Sequence, residues 1–325
     1  MKIGFCYDTM SDYNFTDLNF CDFTSEESVS YVKEVLESCG HKVTLIGNAG
    51  KLFHRMHSGQ FDFNLVFSTA EGLGSRNREG WIASFLEASG IPYVGTDAYG
   101  LALTLDKIQT KLIAKYLNIP TPSFKEYSEL HELENAVDQI KLPLVMKPNY
   151  EGSSMGVYLI NSTEEFLEKG KQILELYRQK ILVEDYLPGK EVTVSVIEID
   201  GTAQVVGMAQ TVSLKGETMP IFSSEAKRIY GCQKIKPVLP DYVQHKLEKY
   251  AIQLFQYIGC RDYCRVDFRF DKQGTPNLLE VTPLPAMGEN ASFTAGALLY
   301  KHSPQWLFDH IIGNAAARYS LLPKP

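Results

Sequence analysis

Residues 144–157, which read LVMKPNYEGSSMGV, constrain this chain more than any other stretch. An apolar strand ends at Lys147 and Pro148, a loop rich in glycine and serine follows, and the apolar pattern resumes at Val157. Glycines let the backbone approach an anion closely, serine hydroxyls and free N–H groups donate to it, and Lys147 adds positive charge. The stretch therefore predicts a phosphate-binding loop. A plain turn between two strands is the alternative with the same turn chemistry.

The composition is typical of a globular protein of two or three domains, since 325 residues exceed the usual size of one domain. The formal net charge is −7 and the positive charges are scattered, which argues against a nucleic-acid partner. No apolar run reaches the roughly 18 residues of a membrane span. Residues 1–7 read as a strand and not as a secretory leader, so we expect a cytoplasmic protein without a membrane partner.

The cysteines show neither the paired spacing of a zinc site nor the density of a disulfide framework. There are six, at Cys6, Cys21, Cys39, Cys232, Cys260 and Cys264. We expect reduced and mostly buried thiols, with a zinc site as the alternative.

Residues 1–104 alternate between strand and helix patterns. Strands are predicted at 2–7, 42–46, 63–67 and 91–95, and helices at 26–39 and 80–89. This alternation is typical of an open parallel sheet, in which ligands bind beyond the carboxyl ends of the strands, here segments 8–25 and 68–79. Segment 8–25 is aromatic and acidic, which fits either a substrate-covering loop or a surface excursion packed by its own aromatic rings.

The pattern changes after Asp106. Helices are predicted at 107–117, 130–139, 163–177 and 243–258, and strands at 144–147, 156–160, 181–184, 191–199, 203–211, 263–270 and 277–281. This order predicts a compact α+β subdomain around the glycine-rich loop, followed by a region dominated by strands.

The hairpin at 263–282 carries the next chemical signal. Alternation places Arg265, Asp267 and Arg269 on one face of the first strand, and Glu280 and Thr282 on one face of the second. A carboxylate from each strand suits Mg²⁺, which takes one or two carboxylates and completes its shell with phosphate and water. An exposed, salt-bridged hairpin face is the alternative. Two further lysines could take part in a site: Lys107 follows an apolar stretch, and Lys227 ends the segment Ser223-Ser224-Glu225-Ala226-Lys227. Taken singly, each is typical of a solvated lysine.

The order and spacing of these residues resemble the ATP-grasp superfamily, and within it the D-alanine–D-alanine ligase-like group, from about residue 63 to residue 293. The motifs that carry the resemblance are Gly90-Ile91-Pro92-Tyr93-Val94-Gly95 with Asp106-Lys107, Lys147-Pro148 with the loop 151–157, Glu184 with Gly189-Lys190-Glu191, and Arg265-x-Asp267 with Leu279-Glu280.

The resemblance implies a fold of mixed α/β and α+β class. An N-terminal domain with an open parallel sheet is expected at 1–104, a central ATP-grasp subdomain with the glycine-rich loop at 105–188, and a C-terminal subdomain with the Mg²⁺ site at 189–325. ATP would lie between the two α+β subdomains. A cytoplasmic homodimer that joins through the N-terminal domain is also implied.

The resemblance also assigns roles to individual residues. The residues expected to bind ATP are Lys107, Lys147, Ser154, Glu184, Asp185, Tyr186, Leu187, Glu191 and Lys227. The residues expected to bind the substrates are Glu26, Ser153, Arg228, Arg265, Ala286 and Ser292. The metal ligands would be Asp267, Glu280 and Thr282, for two Mg²⁺ ions, with Mn²⁺ as a substitute. Arg265, Ser153 and Lys227 would act directly in the chemistry, with Arg265 on the tetrahedral intermediate and Lys227 on the γ-phosphate.

Departures from the family pattern cluster around the amino-acid pockets. Thr282 replaces an asparagine that binds metal, Ala286 replaces a glycine, and Arg228 replaces a tyrosine. The family's Gly-Gly-x-Ser and His-Gly segments are replaced by segments 8–25 and 70–74, although Glu26 can take the place of the glutamate that holds the first substrate's amine.

These departures favour an ATP- and Mg²⁺-dependent ligase that condenses an amino acid or amine with a small carboxylate, in specialised metabolism, through an acyl phosphate. A genuine D-alanine–D-alanine ligase is one alternative, because the ATP site is largely intact. A nucleotide-binding pseudoenzyme is the other, because Thr282 and Ala286 alter residues near the chemistry.

Overall fold

The computed structural model describes residues 1–13, 23–221, 223 and 229–321. Three sheets organise these residues: a parallel sheet of three strands and two antiparallel sheets of four and five strands. This arrangement confirms the predicted mixture of α/β and α+β architecture. Among the described helices, none combines the length and hydrophobicity that crossing a membrane requires.

The parallel sheet has the strand order β2-β1-β3. Its region comprises β1 (Lys2–Cys6), α1 (Glu26–Ser38), β2 (Lys42–Gly47), α2 (Ala49–His57), β3 (Leu65–Ser68), α3 (Gly80–Ala88) and α4 (Ala98–Leu105). The strand predicted at 91–95 is reduced to one bridge between Val66 and Tyr93. Pro92 lacks an N–H and Gly95 has a φ of 102°, so the extended pairing ends there.

Helices from both ends of the chain cover one face of this sheet. Phe5 and Phe67 from the strands pack with Leu36 of α1 and with Phe308 and Ile311 of a C-terminal helix. That helix is α10 (Pro304–Arg318), which the sequence reasoning did not predict. The C-terminal helix therefore completes the core of the N-terminal sheet.

The four-stranded sheet has the order β4-β7-β5-β6. Its region comprises α5 (Lys107–Tyr116), β4 (Phe124–Tyr127), α6 (Leu130–Ala136), a 3₁₀ turn (Val137–Gln139), β5 (Leu144–Pro148), β6 (Tyr158–Ile160), α7 (Thr163–Tyr177) and β7 (Ile181–Asp185). Leu133 and Phe166 from the helices pack against Met146 and Ile160. The central strand β5 thus delivers Lys147 and Pro148 to the glycine-rich loop.

The five-stranded sheet has the order β10-β9-β8-β11-β12. Its region comprises β8 (Glu191–Ile199), β9 (Thr202–Val212), β10 (Gln233–Ile235), α8 (Asp241–Ile258), β11 (Tyr263–Phe270), β12 (Pro276–Thr282) and α9 (Ser292–Leu299). Helix α8 contributes Leu247 and Leu254 to a core shared with Val194 and Val266. Because side chains alternate along each strand, the polar residues next to Val194 and Val266 lie on the opposite face.

A buried carboxylate joins the N-terminal region to the C-terminal region. Asp262 is fully buried and accepts two hydrogen bonds from the Arg318 guanidinium, at 2.7 and 2.9 Å. The backbone N–H of Gly95 donates to the same carboxylate at 2.7 Å. Burial raises the pKa of Asp262, while Arg318 opposes the rise. The Asp262 carboxylate can therefore be charged inside this interface only because Arg318 and the Gly95 N–H donate hydrogen bonds to it.

Replacing Arg318 with methionine is expected to lower the free energy of unfolding by about 3 kcal/mol, because a buried charge loses its partner. Urea unfolding monitored by circular dichroism measures the loss. Lys249→Met, at an exposed position of α8, is the control that removes one positive charge. A loss below about 1 kcal/mol in R318M, which is the scale of an exposed ion pair, would contradict this account of the interface.

Candidate active site

A cavity of about 380 Å³ lies between the glycine-rich loop and the polar face of the five-stranded sheet. This volume is within the usual range for a small-molecule site. Most of the predicted site residues line it. These are Lys107, Lys147, Ser153, Ser154, Glu184, Asp185, Tyr186, Leu187, Glu191, Arg265, Asp267, Glu280, Thr282, Ala286 and Ser292.

One predicted site residue, Glu26, lies away from this cavity, and two others lie outside the described residues. Glu26 is exposed in the first turn of α1, does not line the cavity, and accepts a hydrogen bond from the Ser11 hydroxyl at 3.0 Å. Lys227 and Arg228 lie outside the described residues. The roles assigned to these three residues stay predictions.

The described ends of segment 8–25 pack against each other. The rings of Tyr13 and Phe23 stack with centroids 4.8 Å apart, and the Tyr13 hydroxyl donates to Asp8 at 2.7 Å. The Gly72 N–H donates to the other oxygen of Asp8, also at 2.7 Å. These contacts fit the alternative of a segment packed by its own aromatic rings; residues 14–22 lie outside the described chain.

Arg265 lies between the two carboxylates expected to bind metal. Its Nε donates to Asp267 at 2.7 Å, and its Nη2 donates to Glu280 at 2.8 Å and to the Thr282 hydroxyl at 3.3 Å. Asp267 pairs in register with Glu280 across the hairpin, and the Thr193 hydroxyl donates to Asp267 at 2.6 Å. This face of the hairpin is salt-bridged, as in the alternative interpretation of an exposed, salt-bridged face. It lines the cavity, so the expectation of an exposed face is wrong.

The two carboxylates differ in their electrostatic surroundings. Burial and the neighbouring Glu280 raise the pKa of Asp267, although Arg265 opposes the rise. Burial acts in the same direction on Glu280, but the positive charges of Lys107, Arg265 and Lys147 outweigh it and lower its pKa. Glu280 is therefore held as a carboxylate at neutral pH.

The oxygen atoms of this site fit Mg²⁺ when a phosphate completes the shell. No cluster of three or more His, Cys, Asp or Glu side chains able to hold a metal occurs among the residues that the structure describes. Asp267 and Glu280 supply two carboxylates, which matches the number that Mg²⁺ takes beside nucleotide phosphates. The Thr282 hydroxyl is a third, neutral oxygen donor.

Glu184, which lines the cavity, forms ion pairs with two lysines. Its carboxylate lies 2.6 Å from the Nζ atoms of both Lys111 and Lys147. Burial disfavours the charged form, but the two lysines outweigh burial and lower the pKa of Glu184 to about 2. Burial also lowers the pKa of Lys111 to about 8, although Glu184 opposes it. The Glu184 carboxylate thus fixes the position of Lys147.

Lys111 was missed from the sequence, although a signal existed. It lies one helical turn after Lys107, so both lysines fall on the same face of α5. Lys107 donates through Nζ to the carbonyl oxygen of Glu151 and lies 3.7 Å from Glu280. One helix therefore contributes two cations to this region.

The glycine-rich loop adopts left-handed backbone conformations. Ser153, Ser154 and Gly156 have φ values of 47°, 66° and 64°. A Cβ atom on Gly156 would lie 2.8 Å from Cδ of Pro148, so only glycine fits there. The tight path brings both serines to the cavity, as the sequence predicted.

The start of this loop is held by residues that the sequence reasoning missed. Arg78 is buried in the N-terminal region and donates to the Tyr150 carbonyl oxygen at 2.5 Å. The Gln179 side chain accepts from the Tyr150 N–H and donates to Glu151, both at 2.6 Å. No local pattern connects positions so far apart in the chain. Arg78 therefore links the region of the parallel sheet directly to the loop.

Arg269 supports the segment expected to bind the adenine. Its Nε donates to the Leu187 carbonyl oxygen at 2.6 Å, and its Nη1 donates to Glu191 at 3.2 Å. Its Nη2 donates to the carbonyl oxygens of Met219 and Pro220 at 2.9 and 2.6 Å. The sequence predicted that Arg269 shares a face with Arg265. It did not predict that hydrogen bonds from Arg269 connect Leu187 to residues 219–220.

Comparison with known proteins decides the family. The family model described as the D-ala D-ala ligase C-terminus matches residues 112–312. The chain belongs to the D-alanine–D-alanine ligase family. A D-alanine–D-alanine ligase of Pelotomaculum thermopropionicum is 32% identical to it over 69% of this chain and 72% of its own length. The uncharacterized protein y4sG of Sinorhizobium fredii is 30% identical to the chain described here, over 89% of this chain and 87% of its own length.

Solved structures share the fold of this ligase. The VanG D-Ala:D-Ser ligase from Enterococcus faecalis superposes with a TM-score of 0.76 at 18% identity, over 97% of this chain and 99% of that chain. The Bacillus anthracis D-alanine–D-alanine ligase complexed with ATP gives 0.72 at 20% identity, over 99% of each chain. The predicted ATP-grasp fold is thus confirmed. As a family member, the chain is an ATP-dependent ligase that forms a carbon–nitrogen bond.

Replacing Glu184 with glutamine is expected to weaken the fold at neutral pH and to flatten its acid sensitivity. A carboxyl with a pKa of about 2 in the fold contributes stability above its ordinary pKa and loses it as the pH falls towards 2. Between pH 4.5 and 3, the wild type should therefore lose up to about 1.4 kcal/mol per pH unit more than E184Q. Glu175→Gln, on the exposed surface of α7, is the control. Equal slopes in urea unfolding would contradict the assignment.

Replacing Arg78 with methionine is expected to lower kcat/KM for ATP by about 10-fold or more, because a small displacement of the loop misplaces the reacting groups. Steady-state kinetics with varied MgATP measure the effect. Arg76→Met, at an exposed position of the same segment, controls for the lost charge. Equal kinetics in both variants would show that Arg78 does not position the loop.

Proposed function

We propose that this ligase phosphorylates a small carboxylate with ATP and condenses the acyl phosphate with an amino acid or amine, and that its product differs from D-alanyl-D-alanine. The observation that carries the proposal is the contact of one guanidinium, Arg265, with both Asp267 and Glu280 inside the cavity. The cavity thereby combines a cation for an oxyanion with two carboxylates for a metal, opposite the glycine-rich loop.

The reaction has two steps. A carboxylate oxygen of the first substrate attacks the γ-phosphorus of ATP and ADP leaves, which gives the acyl phosphate. The amine nitrogen of the second substrate then attacks the carbonyl carbon, phosphate leaves, and the nitrogen loses a proton. In this proposal Lys107 and Lys147 neutralise phosphate charge, and Ser153 and Ser154 donate to oxyanions at the loop. Arg265 stabilises the negative oxygen of the tetrahedral intermediate.

Magnesium would be held by Asp267, Glu280 and Thr282, as two ions, and Mn²⁺ suits the same oxygen donors. The metal would withdraw charge from the transferring phosphoryl group. Glu184 through Leu187 would contact the adenine and Glu191 the ribose. Lys227 would contact the γ-phosphate, while Arg228, Ala286 and Ser292 would contact the substrates. A cytoplasmic homodimer without nucleic-acid or membrane partners completes the proposal.

The altered-substrate assignment is supported by residues at the substrate end of the cavity. Glu71 and Glu79 line it, where the segment around Glu71 replaces the family's His-Gly pair. Glu26, the expected amine-binding residue, stays outside the lining. A site rebuilt in its polar groups rejects the original substrate strongly. A genuine D-alanine–D-alanine ligase and a nucleotide-binding pseudoenzyme are the two alternatives.

The experiment is phosphate release from MgATP by the purified protein with pooled L- and D-amino acids, followed by mass spectrometry of the same mixtures. Release that requires an amino acid and accompanies a dehydrated product would establish the ligase and name its partners. D-Ala-D-Ala as the main product would replace our proposal by the first alternative. Nucleotide binding without release from any pool, supplemented with small carboxylates, would favour the pseudoenzyme.

Asp267→Asn and Glu280→Gln are each expected to reduce this turnover by at least about 100-fold while leaving the fold intact, because each removes a charged metal ligand. The rate of phosphate release and the circular dichroism spectrum are the two readouts. Asp200→Asn removes the same charge at an exposed turn of the same sheet and serves as the control. Unchanged turnover in D267N and E280Q would reject the metal assignment.

A further inference from the structure

Lys234 brings a cation to the cavity from the outer edge of the five-stranded sheet. It is the middle residue of β10 and lines the cavity together with Asp267 and Arg265. It pairs in register with Thr211 of β9, and Thr211 pairs with Glu191 of β8. Register neighbours point to the same face of a sheet, so the Lys234 side chain lies on the face that carries Glu191.

A neutral hydroxyl orients the Lys234 ammonium. Its Nζ donates to Oγ1 of Thr211 at 2.6 Å, and the residue is half-buried. This bond directs the ammonium along the sheet. Burial lowers the pKa of Lys234, while Glu191 and Asp267 oppose the change and Arg265 reinforces it.

The position of Lys234 complements the lysines of the central subdomain. Lys107 and Lys147 reach the cavity from α5 and β5, whereas Lys234 reaches it from the opposite subdomain. Lys147 lies 2.6 Å from the Glu184 carboxylate, and Arg265 is held by Asp267 and Glu280. An anion between the two subdomains would therefore meet positive charge from both sides.

We propose that Lys234 binds the terminal phosphate of the nucleotide, at the side of the cavity that faces away from the glycine-rich loop. The inference rests on the proposed function, because it requires ATP in this cavity. An oxyanion is the chemistry that the ammonium recognises. Two oxyanions enter this site, the terminal phosphate and the substrate carboxylate. The phosphate is favoured because Lys234 shares its sheet face with Asp267, a proposed ligand of the metal that accompanies the phosphates.

Binding of three nucleotides tests this assignment. Isothermal titration calorimetry would compare Lys234→Met with the wild type for the Mg²⁺ complexes of the imido analogue of ATP and of ADP, and for AMP. One charge-assisted hydrogen bond corresponds to about 10-fold or more in affinity. We expect that loss for the triphosphate, less than about 3-fold for ADP, and unchanged AMP binding, which also reports an intact fold.

Two further variants sharpen the comparison. Lys234→Arg keeps the charge and should recover most of the triphosphate affinity. Lys236→Met removes an exposed charge two residues along, where the ammonium lies 4.1 Å from the centre of the Tyr300 ring, and should leave all three affinities unchanged.

Three results would overturn the proposal. Equal losses for triphosphate, diphosphate and AMP in K234M would place Lys234 on the nucleoside side. Unchanged nucleotide affinities with a raised KM for the carboxylate or the amine would assign the oxyanion to a substrate. Failure of the wild type itself to bind any nucleotide would reject the proposed function, which distinguishes that failure from a failure of the Lys234 assignment.

Discussion

Compensation of buried charge across the cavity is the constraint on which the rest of this structure depends. Glu280 of β12 accepts from Arg265 and lies 3.7 Å from Lys107 of α5, and Lys107 in turn donates to the carbonyl oxygen of Glu151 in the glycine-rich loop. Buried charges are tolerated only with partners and hydrogen bonds, so each side chain constrains the next. The same pairing keeps Glu280 ionised and presents its oxygens to the space where a metal and phosphates are proposed to bind.

The proposed nucleotide and substrate ends of the cavity have diverged to different extents from the family pattern. The glycine-rich loop, Lys147, Glu184 and Glu191 all line the cavity as the family resemblance led us to expect. Thr282, Ala286 and the segment around Glu71 depart from the pattern, and Glu26 stays outside the lining. Because nucleotide chemistry is common to the family, a nucleotide end that keeps most of the pattern favours altered substrates over lost activity.

Much of the site was predictable because its residues stand within short, regular segments. Alternation along β11 predicted one face for Arg265, Asp267 and Arg269, and all three line the cavity, although the register shifts between Asp267 and Phe268. The exposed alternative for that hairpin was wrong, since alternation specifies a face and not what covers it. The strand predicted at 91–95 failed because Pro92 cannot donate, and α10 was missed although it completes the first core.

The sequence by itself determined which chemical groups the chain has, their order, and the local turns that expose them, as in Lys147 before Ser153, Ser154 and Gly156. Local steric rules and side-chain periodicity act within a few residues, so these features can be read without a partner. Only the tertiary structure decided which charges meet. Arg78 reaches Tyr150 across 72 residues, and Arg318 reaches Asp262 across 56. Such pairs arise from how the sheets and helices pack, and no local pattern records them.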